Sequence, residues 1–187
     1  MQKDSQQGQQ PLYAKDTLRY SCGGLETLYQ SILMQWSKLK QRIEERFAEN
    51  LKGRLEVFET RYRMGHNHNL GEIWFSLDKE KVYSTSDFAG WQRIALLRSH
   101  CENYDTAFNK VAAEGTLPVK QSNDLLFSTL NMSVEDMLTS PAVLVRGLGI
   151  ADARCGRRRF QVFQSGMETE HPFLQRLFLE RFQKGID

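Results

Sequence analysis

The sequence predicts an α+β fold: a helix, a three-stranded antiparallel sheet, then a helical C-terminal part. Three observations predict it. Trp36, Leu39, Ile43 and Phe47 recur every three or four residues, the period of one buried helix face. After Gly53 the period falls towards two, in runs of β-branched and aromatic residues broken by polar turns. From Ser84 onward helical spacing returns, punctuated by residues that start helices.

Residues 1 to about 12 are rich in glutamine and carry no periodic apolar pattern. Leu25, Leu28, Tyr29, Ile32 and Leu33 have helical spacing, but Cys22-Gly23-Gly24 interrupts anything earlier. Residues 1–33 are therefore expected to be a poorly ordered or weakly packed extension, and 34–187 a single α+β domain. The first helix starts near Met34 and has a plausible stop at Asn50 and Gly53. Strands follow over Arg54–Arg63 and Glu72–Ser84, the second stretch folding back at Asp78-Lys79-Glu80-Lys81.

Ser84 to Asp87 supplies cap chemistry for a long helix whose inner face is Trp91, Ile94, Leu97, Cys101, Tyr104, Phe108 and Val111. Glu114-Gly115 and Pro118 close it. A short helix carries Leu125, Leu126, Phe127 and Leu130, and Ser133-Val-Glu-Asp136 is a capping-box variant before Met137 and Leu138. Pro141 opens an apolar helix with a glycine stop, followed by arginines at 154, 157, 158 and 159. His171-Pro172 opens the last helix. The segments after Pro141 and Pro172 resemble each other weakly, as two turns of a HEAT-like stack would, but two copies are too few to assert a repeat and ordinary amphipathic packing is the better account.

Net charge is only +2, far from the balance of a dedicated nucleic-acid coat protein. Cys22, Cys101 and Cys155 are odd in number and widely spaced, which argues against a disulfide framework and for reduced thiols in the cytoplasm. No apolar run is long enough to span a membrane, and the N-terminus lacks a signal-peptide core.

From Met34 the chain reads MQWSKLKQRIEERFAENLKGRLEVFETRYR. Trp36-Ser37-Lys38-Leu39-Lys40, Glu44-x-Arg46-Phe47-Ala48, Lys52-Gly53-Arg54 and Thr60-Arg61-Tyr62 resemble the opening of a widespread uncharacterised family of small bacterial proteins. Asp152-x-Arg154-x-Gly156-Arg157-Arg158, followed by His171-Pro172, is similar to a second stretch in small bacterial proteins. Ala151 stands where that pattern has leucine, and Arg157 where it has lysine. The resemblance implies a domain start near Met34 and no particular activity.

His66-x-His68 supplies two of the three or four ligands that zinc requires, beside Asn67 and Asn69, which suit a polar turn; no metal or other cofactor is expected. His100-Cys101 are helix neighbours and point apart, which works against a nucleophile–base pair. No nucleophile elbow, P-loop or zinc-protease motif occurs. Arg154, Arg157, Arg158 and Arg159 are the candidate binding residues, because guanidinium groups pair bidentately with phosphate and carboxylate. Lys38, Lys40, Arg42, Arg61 and Arg63 are candidates to extend that basic face. The competing reading is that the four arginines follow a helix stop and complement the negative end of its dipole, with Asp152 pairing one of them; the low net charge favours it.

The expected function is a non-catalytic binding or adaptor protein, with a protein or nucleic acid as partner, no membrane, and a homo-oligomer compatible with both. The alternative is a small enzyme whose site is assembled from separated residues.

Overall fold

A computed structural model of the protein describes residues 35–64, 68–100, 102–164 and 166–183. The expected extension at 1–33, His66, Cys22 and Cys101 lie outside the described residues, as does the side chain of His68.

Helix α1, Trp36–Glu44, buries Leu39 and Ile43. It ends well before the expected stop at Asn50 and Gly53. Phe47 keeps the helical period but leaves the helix to form an isolated bridge with Asp152. Beside it Ala48 N donates to Ala151 O at 2.9 Å and Ala153 N to Arg46 O at 2.8 Å. Pairing with a distant segment replaces the next helical turn.

Strands β1, Leu55–Met64, β2, His68–Leu77, and β3, Glu80–Ser86, form the expected antiparallel sheet in the order β1-β2-β3. Leu55 faces Leu77, and Glu72 faces Ser86. The turn between β2 and β3 is tighter than expected. Asp78 and Lys79 both take positive φ, 52° and 69°, the geometry that matches a two-residue hairpin to strand twist. Glu80 and Lys81 are thereby released into β3.

The inner face is buried: Leu55, Val57, Ile73, Phe75, Leu77 and Tyr83. On the outer face Phe58 stacks on Trp74, centroids 5.3 Å apart. Lys40 Nζ lies 4.3 Å from the Phe58 ring and Lys81 Nζ 5.0 Å from that of Trp74. The two ammonium groups close the aromatic pair from either side.

The expected long helix is two. Helix α2, Asp87–Ser99, is capped by Ser86, which accepts from Ala89 N. Helix α3, Tyr104–Glu114, is capped by Asn103, which accepts from Thr106 N at 2.8 Å, and is stopped by Gly115 at φ 79°. Phe108 is half-buried and Val111 buried, but Trp91 and Tyr104, expected on the inner face, are 46% and 40% exposed. Helix α4, Val119–Thr129, and α5, Val134–Thr139, follow. Ser133 caps α5 by accepting from Asp136 N, as its sequence promised.

Helix α6, Val143–Ala151, buries every residue except Arg146. Pro141 precedes its cap residue Ala142 instead of sitting in the first turn, and the helix stops at Asp152, before Gly156. Helix α7, Arg157–Gln164, a 3₁₀ turn at Met167–Thr169, α8, Pro172–Phe178, and a π-turn at Leu179–Gln183 complete the fold. Phe173 of α8 reaches the sheet, with its ring 5.4 Å from Phe75 and 4.7 Å from Tyr83. Buried Tyr83 donates its hydroxyl to Gly115 O at 2.8 Å, and burial pushes its pKa upward.

His171 caps α8 through Nδ1, which accepts from Phe173 N at 3.1 Å. That bond requires an unprotonated Nδ1. Burial holds the imidazole below its ordinary value of 6.5, with Arg146 adding to the effect. A depressed folded pKa gives stability that is present above the unfolded value and is lost as pH falls through the folded one. His171 should therefore titrate below 6.5 by NMR. His171→Asn, which can still cap, should flatten the fall in stability between about pH 7 and 5. An unchanged slope would reject the linkage.

Candidate functional site

Asp152 ends α6 with ψ 132°, turning the chain away from the helix axis. Its carboxylate is buried, and two guanidinium groups close on it. Arg46, arriving from the turn after α1, donates through Nε at 3.1 Å and Nη2 at 2.8 Å to Oδ2, and through Nη1 to Thr129 O at 2.8 Å. Arg154 donates Nε to Oδ1 and Nη2 to Oδ2, both at 2.9 Å, and its backbone N to Oδ1 at 2.9 Å. Burial pushes the Asp152 carboxyl above its ordinary value while Arg46 pulls it back.

A third guanidinium lies near by. Arg181 donates to Cys155 O and Asn50 Oδ1, both at 3.3 Å, and forms no ion pair with a described carboxylate. Its Nε is buried without a partner, and burial lowers its pKa. Cys155 is a buried free thiol whose pKa burial raises.

The four arginines divide two and two. Arg154 is held by Asp152. Arg159 pairs with Glu135 at 2.5 Å and donates Nη1 to Arg154 O at 2.9 Å. Arg157 and Arg158 are exposed and make no ion pair with a described residue. The dipole reading fits only Arg154, which stands just past the α6 cap and pairs with Asp152. Arg157, Arg158 and Arg159 form the first turn of α7, so they stand at the positive end of a helix.

The proposed extension of the basic face is neutralised at two of its five positions. Lys40 pairs with Glu44 at 3.3 Å and Arg61 with Glu59 at 2.5 Å. Lys38 and Arg42 are exposed on α1 without a described ion-pair partner, and the side chain of Arg63 lies outside the described residues.

His100 is exposed, with Nδ1 2.8 Å from Leu96 O. Among the described residues no three His, Cys, Asp or Glu side chains gather as a metal site. The space beside Asp152, lined by Ile43, Phe47, Leu130 and Met137, is about 10 Å³, at the lower limit for one water. It is a packing gap at an ion cluster.

Sequence reasoning placed Asp152 with one of the arginines but missed Arg46 and Arg181. A signal was present. Arg46 lies in the first stretch that carries the family resemblance and Asp152-x-Arg154 in the second. The structure joins these stretches across 106 positions.

No helix among the described residues is long and apolar enough to cross a membrane. No curated protein and no solved structure matches the chain. A family model does, over residues 35–182, beginning one residue after Met34 and taking in the helix, the sheet and both partners of the Arg46–Asp152 pair. The chain belongs to the SF0329 protein family.

Proposed function

We propose that the chain is a non-catalytic binding protein that contacts a protein partner through the arginine face of α7, the partner offering an acidic patch. The observation that carries this reading is the pair Arg157 and Arg158, exposed and without a described ion-pair partner in a helical first turn. Cations there cost about 0.3–1 kcal/mol each against the macrodipole. Helix stability therefore does not account for them. Behind them Arg46 and Arg154 share the one carboxylate of Asp152, and Arg181 adds a further positive charge.

Magnitude favours a protein partner over nucleic acid. Two phosphate contacts give a salt slope near 2 and lose only about tenfold in affinity between 50 and 200 mM salt, against 10³–10⁵ for proteins with 6–10 contacts. Two guanidiniums suit a pair of carboxylates better than a polyanion track. The buried free thiol of Cys155 supports a reducing, cytoplasmic setting, and the family resemblance supports a bacterial one.

The test is fluorescence anisotropy with a labelled glutamate-rich peptide and a labelled single-stranded oligonucleotide at two salt concentrations. Wild type should bind the peptide at low salt. The Arg157→Ala/Arg158→Ala double variant should weaken binding about tenfold with its unfolding midpoint unchanged. No binding of the peptide by wild type would reject the reading, and steep salt-dependent oligonucleotide binding would replace the protein partner with nucleic acid.

A further inference from the structure

Helix α2 is apolar on both sides, yet the described fold covers only one. Gly90 and Ile94 are buried and Leu97 is half-buried. At 100° per residue the opposite side carries Phe88, Trp91, Ala95 and Leu96, with Gln92 among them. Phe88 is 68% exposed, Trp91 46% and Leu96 48%. The helix cannot roll to hide them. A Cβ at Gly90 would stand 2.4 Å from Pro118 N and 2.6 Å from Leu117 C, so the backbone of α2 already presses on the 117–118 backbone.

We propose that this face is the interface of a two-fold homodimer in which α2 packs antiparallel on α2 of a second copy. The stripe is self-complementary about Gln92. A two-fold there sets Phe88 of one copy against Leu96 of the other, twice, with Ala95 small enough for the helices to approach. The same two-fold runs the two helices in opposite directions and so sets their macrodipoles head to tail. Asp87 takes no part, since its two carboxylate oxygens accept from Gly71 N and Val119 N at 2.8 Å on the covered side of the helix.

Area is sufficient. At 150–250 Å² per aromatic side chain, the exposed parts of Phe88 and Trp91 amount to about 250 Å², and Leu96 and Ala95 raise this to about 350 Å². Two copies bring together about 700 Å² of apolar surface. With the polar rim of a homodimer, about 65% apolar, that is about 1,100 Å² in total, near the lower bound of specific interfaces. The inference is independent of the arginine face.

The test uses the full chain. Sedimentation at about 10 and about 300 µM should show a mass that doubles with concentration. Trp91→Glu should hold it at monomer mass while circular dichroism stays unchanged, since Trp91 lies on the exposed side of α2 and outside the buried core. Under mild oxidation Gln92→Cys should give a covalent dimer and Lys79→Cys, on the hairpin turn, should not. A monomer at both concentrations, or a dimer that survives Trp91→Glu, would overturn the proposal. So would an intramolecular Gln92→Cys crosslink to Cys22, which would make residues 1–34 the occupant of the face.

Discussion

Asp152→Ala should lower the unfolding free energy by about 3 kcal/mol, because it removes the buried carboxylate that the guanidinium groups of Arg46 and Arg154 share. Asp152 is 3% exposed, and the Arg46 side chain that enters its site is 24% exposed. Without the carboxylate, Arg46 keeps its bond to Thr129 O but holds an uncompensated charge in a half-buried position. Arg154 is half-exposed and can swing into water, so its share of the loss is small. The main-chain links around the Phe47–Asp152 bridge lose the side chain that clamps them. For a chain of this length the loss is a fall in Tm of about 6–12 °C.

Urea unfolding should show a lower midpoint with the slope unchanged. Pairing Asp152→Ala with Arg46→Met should recover part of the loss, because the buried charge goes with its partner. A loss below about 1 kcal/mol in the single variant would show that the cluster is not buried in the energetic sense. Asp152→Ala also frees Arg154 beside Arg157 and Arg158. It should therefore strengthen binding of an acidic peptide while weakening the fold. That opposition separates the clasp from the proposed contact surface.

What the sequence disclosed was local, and what it hid was long-range or in phase. The strands were legible because Val57, Ile73 and Phe75 alternate with polar or outward residues after Gly53 breaks the helical period. Ser133 and His171-Pro172 were legible because each satisfies helix-end N–H groups with neighbours in sequence. The gap between α2 and α3 was not, because Leu97, Cys101, Tyr104 and Phe108 stay in helical phase across it. Asn103 was the cue, as a cap residue inside an apparent helix. Trp91 was misplaced for a related reason. On a helix with apolar residues on both faces, spacing cannot say which face is covered. The Arg46–Asp152 pair needs two turns that end far apart in the chain to meet, which no periodicity encodes. Arg157 and Arg158 were legible as chemistry, but only the structure shows that they begin a helix instead of ending one.

The other large effect lies where α6 meets α8. Phe173→Ala should cost about 3–5 kcal/mol, the range for a fully buried phenylalanine. The ring is 1% exposed and wedged between Phe75, Tyr83 and α6, so its loss opens a cavity that three rigid elements cannot close. The α6 side of the contact is Gly147, where a Cβ would sit 2.3 Å from Phe173 Cε1. Gly147 thus occupies the middle of a helix, where glycine costs about 0.5–1 kcal/mol relative to alanine, because the ring takes the space of a methyl group. Gly147→Ala alone should then destabilise by about 1–3 kcal/mol, against its helix propensity. In a Phe173→Leu background, whose shorter side chain vacates the clash, the same substitution should be neutral or stabilising. The coupling across this double-mutant cycle is expected to exceed about 1 kcal/mol. Additive effects would mean that α6 shifts to accept a methyl group at no cost, and that the glycine is held there by something other than Phe173.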